Sequence, residues 1–90
     1  MINIKNDMTD DLFKAILTLE TVEECYKFFE DVCTIKEIKA IAQRLGVAKM
    51  LKNGQLYSKI VADTGASTAT ISRVSRAINE GFQTAFERLK

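Results

Sequence analysis

LYSKIVADTGASTATISRVSRAI, residues 56–78, sets two short apolar-periodic segments on either side of Gly65-Ala66. In the first segment Ile60 and Val61 face inward. Gly65 follows four residues after Val61, where a left-handed backbone angle ends a helix without steric penalty. Ser67 then caps a second helix by accepting a hydrogen bond from a backbone N–H near Ala69 or Thr70, one of the donors left over at any helix start. Ile71, Val74, Ser75 and Ile78 fall on one side of that helix. The opposite side is centred on Ala69, Arg73 and Arg76, with Thr70 and Ser72 flanking it. This is the pattern of a helix-turn-helix, and a purely structural helical hairpin turning through glycine shares it.

The exposed face suits DNA for chemical reasons. An α-helix fits the major groove, where Ser and Thr donate or accept at base edges, Ala or a Thr methyl meets a thymine methyl, and Arg pairs with guanine or phosphate. Small residues at the start of the helix allow close approach, and the positive end of its dipole favours phosphate. Ser67, Thr68, Ala69, Thr70 and Ser72 are therefore expected near the bases. Tyr57, Ser58, Lys59 and Arg76 are expected mainly on backbone phosphates, which position a protein without specifying sequence. Arg73 shares the exposed face with Arg76.

Moving outward, residues 1–8 show no clear period and are expected to form a flexible arm. A helix starts at Thr9, with Leu12, Phe13, Ile16 and Leu17 as its apolar stripe. Thr21 and Glu24 make a capping box that opens a second helix, striped by Val22, Cys25, Tyr26, Phe29 and Val32. Thr34 and Glu37 make another. The third helix runs to Asn53, before Gly54, and lines one face with Ile38, Ile41, Ala42, Leu45, Ala48 and Leu51. Gly46 inside it costs about 1 kcal/mol against Ala and marks a close helix crossing. After the helix-turn-helix, Asn79-Glu80-Gly81 breaks the chain and Phe82, Ala85, Phe86 and Leu89 stripe a short last helix. With no β-run, the reading is all-α, six helices, in a single domain spanning residues 1–90.

Charge is unevenly placed. Residues 1–34 carry eight acids against three lysines, and residues 35–90 carry ten bases against four acids. The basic half holds the helix-turn-helix, as a phosphate-binding surface requires. Cys25 and Cys33 are eight apart and the chain has no His, so a zinc site would need carboxylates, which structural sites rarely use. They read as free cysteines, core or semi-buried, in a cytoplasmic protein, and no metal is expected. No His, no phosphate-cradling Gly loop and no arguable carboxylate pair leave catalysis without residues, so no catalytic site is assigned. The apolar runs are too short to span a membrane.

A chain of 90 residues buries only about 60–65% of its unfolded surface. Six helices of this size cannot each bury an apolar face inside one small globule. The first two and the last suit packing across a two-fold axis, giving an interlaced homodimer with two recognition helices and a palindromic operator. A different class of reading is a helical module that binds a protein partner through the same hairpin. Salt separates the two, since phosphate binding weakens steeply with it.

The run Gly65-Ala66-Ser67-Thr68-Ala69-Thr70-Ile71-Ser72-Arg73, preceded by a long helix holding Arg44 and opened by Thr34, resembles the Trp repressor family, and more closely its YerC/YecD branch. The resemblance covers residues 10–90. It implies an intertwined all-helical homodimer that binds double-stranded DNA, represses transcription, and in its best-known member takes an amino-acid corepressor. By the same resemblance Thr34, Arg44 and Arg73 match effector-binding positions, with Arg44 meeting a carboxylate and Arg73 stacking on a ring. Val74 stands where that repressor has Gly against the indole, and Ala77 where it has Ser. The match therefore implies a corepressor other than tryptophan, or none, and no other cofactor.

Overall fold

The computed structural model describes residues 3–89. Six helices make up its regular structure: α1 (Asp7–Ile16), α2 (Val22–Val32), α3 (Ile35–Lys52), α4 (Tyr57–Thr64), α5 (Thr68–Ala77) and α6 (Glu80–Arg88). The described residues contain no strand. The chain divides into two compact units, one ending at Ile35 and one beginning at Lys36.

In the first unit, Asn6 rather than Thr9 starts α1. Its side-chain oxygen accepts from Thr9 N at 2.9 Å and from Thr9 Oγ1 at 3.1 Å, while Lys5 Nζ pairs with Asp10 at 2.9 Å. Asp7 and Met8, expected in the arm, are thus helical; Met1 and Ile2 lie outside the described residues. At α2 the cap is as expected on one side, Thr21 Oγ1 accepting from Glu24 N at 3.0 Å. The return bond is displaced by one residue, with Glu24 Oε1 accepting from Glu20 N at 3.1 Å. Neither α1 nor α2 contains a buried residue. Cys25 and Cys33 are free and half-buried.

The second unit holds the core. Val47 and Ala48 of α3, Ile60 of α4, Ala66 of the turn, and Ile71 and Val74 of α5 are buried together. Met50, Leu51, Ile78, Phe82 and Phe86 pack against them. Of the face expected on α3, only Ala48 is buried. Ile41 and Leu45 are exposed, and the unexpected Val47 is completely buried. The reason is that α3 carries apolar side chains on most of its circumference, so periodicity alone cannot choose the buried side. Val61 and Ser75 are likewise exposed rather than inward.

Helix ends follow local chemistry. α3 stops in a Schellman arrangement, with Gly54 at φ 74°, Gly54 N donating to Leu51 O and Gln55 N to Met50 O, each at 3.0 Å. Gly46 has no neighbour within 4 Å of where a Cβ would stand, so it does not mark a close crossing within the chain. α6 begins at Glu80, inside the expected break. Phe82 and Phe86 stack along it at 5.9 Å, and Lys52 Nζ sits 5.1 Å from the centre of the Phe86 ring.

Candidate nucleic-acid interface

The pair α4 and α5 is built by three local devices. Gly65 caps α4 at φ 73° and donates its N–H to Val61 O at 2.9 Å. Thr64 braces the turn twice, its hydroxyl donating to Ile60 O at 2.7 Å and accepting from Ala66 N at 3.1 Å. Ser67 caps α5, its Oγ accepting from Thr70 N at 3.1 Å. A fourth device comes from a distance: Gln43 Nε2 of α3 donates to Thr64 O at 3.1 Å, tying the long helix to the turn.

These anchors fix which side of α5 is free. Ile71 and Val74 point into the core. Thr68, Ala69, Arg73 and Arg76 are exposed, and among the described residues neither arginine is in an ion pair. Ser67 is exposed, with its hydroxyl spent locally: besides capping, it donates to Thr70 Oγ1 at 3.1 Å. Thr70 and Ser72 are half-buried. On α4, Tyr57, Ser58 and Lys59 are exposed, and Lys59 Nζ lies 3.0 Å from Asp63 Oδ2. The bracing by Thr64, the Lys59–Asp63 pair and the Gln43 bond were not anticipated from the sequence. The Lys59–Asp63 spacing of four was readable as a helical ion pair; nothing local marks Gln43.

Of the residues matched to an effector site, Arg44, Arg73 and Val74 lie in the second unit. Arg44 is exposed on a largely apolar cavity of about 480 Å³, lined by Ile41, Leu45, Ala77, Asn79, Gly81, Phe82 and Ala85. Arg73 is not in that lining. Val74 is only 5% exposed and belongs to the core. Thr34 lies in the first unit, immediately before α3. No helix among the described residues is long and apolar enough to cross a membrane.

The chain matches the family model for the Trp repressor protein over residues 7–90. The uncharacterised protein YerC of Bacillus subtilis (strain 168) is 56% identical over 84 residues, covering 90% of this chain and 81% of YerC. A TrpR-like protein from Eubacterium eligens superposes with a TM-score of 0.91 at 51% identity, covering 94% of this chain and 91% of that one. A Staphylococcus aureus structure described provisionally as a Trp repressor gives 0.92 at 48% identity, covering 98% and 94%. TM-scores of 0.91 and 0.92, a matching family model over nearly the whole chain and identities near one half lead to one assignment: the chain belongs to the Trp repressor family, in the branch of YerC.

Proposed function

We propose that this protein is a sequence-specific DNA-binding regulator of transcription, a repressor that acts as a homodimer on palindromic operators. The observation that carries the reading is the outer face of α5: small at its N-terminal end and basic along Arg73 and Arg76, on a helix whose other face is locked into the core. Thr68 and Ala69 stand nearest the bases, and Ser72 beside them. Ser67 and Thr70 serve the cap first and reach the DNA through what their geometry leaves free. Tyr57, Ser58, Lys59 and Arg76 hold phosphates.

Dimerisation is supported by what the single chain leaves uncovered. Met8 and Leu17 are each 83% exposed, and Val22 is 74% exposed, on or beside helices that contain no fully buried residue. A second copy covering them presents two α5 helices, and successive major grooves on one side of B-DNA require a separation of about 34–36 Å. Val74 is buried among the core residues, which supports a recognition helix oriented without tryptophan. A smaller corepressor, if one acts, meets Arg44 at the cavity edge. No catalytic role is assigned. The competing reading, a protein-binding module, draws on exposed Leu56, Tyr57 and Val61 beside the same hairpin.

Selection of random duplexes by the purified protein, followed by titration of the winners against salt, tests the proposal. The expected result is a two-fold palindrome whose affinity falls steeply between 50 and 200 mM salt. Ala69→Glu should lose operator binding while keeping the helical content and melting temperature of the parent. A pool without enrichment, with or without metabolite extract, refutes the repressor reading and favours the protein-binding module.

A further inference from the structure

Asp63 is the only acidic residue in the stretch 56–78. It stands one turn after Lys59, the only basic residue of α4, and Lys59 Nζ donates to its Oδ2 at 3.0 Å. Arg73 and Arg76, the other cations of the hairpin, are in no ion pair among the described residues. The hairpin therefore carries one cation that is held back and two that are not. The hold is weak enough for a well-placed phosphate to break it, because the Lys59 and Asp63 side chains are 56% and 47% exposed and an exposed pair at this spacing contributes little.

We propose that Asp63 is a specificity-determining residue of the DNA-binding surface: it retains the Lys59 ammonium against loosely bound DNA and yields it only to a phosphate fixed in register. The inference rests on the DNA-binding reading above. In a non-specific complex the phosphates are mobile and hydrated, and the carboxylate beside Lys59 both competes for the ammonium and repels them. In the fitted complex, contacts from α5 hold one phosphate beside Lys59, and its local concentration outweighs that of the carboxylate. One phosphate contact is then present on the operator and missing elsewhere. Each such contact adds about 0.9 to the slope of log affinity against log salt, which is about a 3.5-fold effect between 50 and 200 mM.

The test uses the full chain and four proteins: wild type, Asp63→Asn, Lys59→Gln and the double variant. Each is titrated on the selected operator and on a scrambled duplex of equal length from 50 to 200 mM salt. Asp63→Asn is expected to tighten binding to the scrambled duplex, to steepen its slope by about 0.9, and to lower the operator-to-scrambled ratio by about threefold at low salt. Lys59→Gln is expected to flatten the slope on the operator by about 0.9 and to leave the scrambled slope unchanged. In the Lys59→Gln background, Asp63→Asn should no longer alter the slope. An unchanged scrambled slope in Asp63→Asn, with operator binding intact in the wild type, overturns this inference alone. So does an equal effect of Asp63→Asn with and without Lys59, which would make it simple repulsion. Absence of binding to any duplex by the wild type overturns the DNA-binding reading together with it.

Discussion

The same substitution, glycine to alanine, is expected to act with opposite sign at two places in this chain. At Gly65 the backbone is left-handed, φ 73°, and an added Cβ would meet no atom within 4 Å. The cost of Gly65→Ala is therefore conformational and nothing else. An L-residue in this region is disfavoured by about 1–2 kcal/mol, and restriction of the unfolded chain returns about 0.4–1 kcal/mol. The net destabilisation is about 1 kcal/mol. At Gly46 there is again no neighbour within 4 Å, but the residue lies in the interior of α3 and its φ is not positive. Gly46→Ala is expected to stabilise by up to about 1 kcal/mol. Urea unfolding followed by far-UV circular dichroism, at one fixed protein concentration so that association does not shift the midpoint, measures both. For a chain of this size 1 kcal/mol moves the melting temperature by about 4–8 °C, so the two variants should melt on opposite sides of the parent. A destabilising Gly46→Ala would refute the reasoning, because it requires a close neighbour at that position in the folded state. A loss above about 3 kcal/mol at Gly65 would refute it too, exceeding what backbone preference alone supplies.

Ile71→Ala, at a side chain with no exposure in a core of six buried residues, should lose about 2–5 kcal/mol, read as a lower urea midpoint at unchanged slope. Ser67→Ala should lose about 1 kcal/mol by removing the α5 cap; amide exchange at Thr70, whose N–H the Ser67 hydroxyl accepts, should accelerate more than exchange at Ile71, whose N–H goes to Ser67 O.

What the sequence discloses depends on how local the deciding physics is. The turn between α4 and α5 was readable because a positive φ demands Gly65 and an orphan N–H demands Ser67, and both demands act within four residues. The start of α1 is not decided locally, because Asn6 and Thr9 are both competent caps, and the structure uses Thr9 as a donor to Asn6 instead. The buried side of α3 was not readable. Its apolar residues encircle it, and the choice of Val47 over Ile41 and Leu45 is made by what α4 and α5 bring against it. For the candidate site, the outer residues of α5 followed from helical spacing. The local engagement of Thr70, the burial of Val74 and the bond from Gln43 to Thr64 O depend on contacts that no periodicity reveals.

The separation of roles on α5 has a consequence for how such a surface can change. Ile71 and Val74 hold the helix, and Ala69, Arg73 and Arg76 face outward, so the outer face can vary without disturbing the core. The first unit lacks that independence. α1 and α2 are ten and eleven residues long, below the length at which isolated helices persist in water, and neither contains a fully buried residue. On the proposed reading their helicity is linked to the second copy that covers Met8, Leu17 and Val22, so folding of this segment and dimerisation are a single equilibrium.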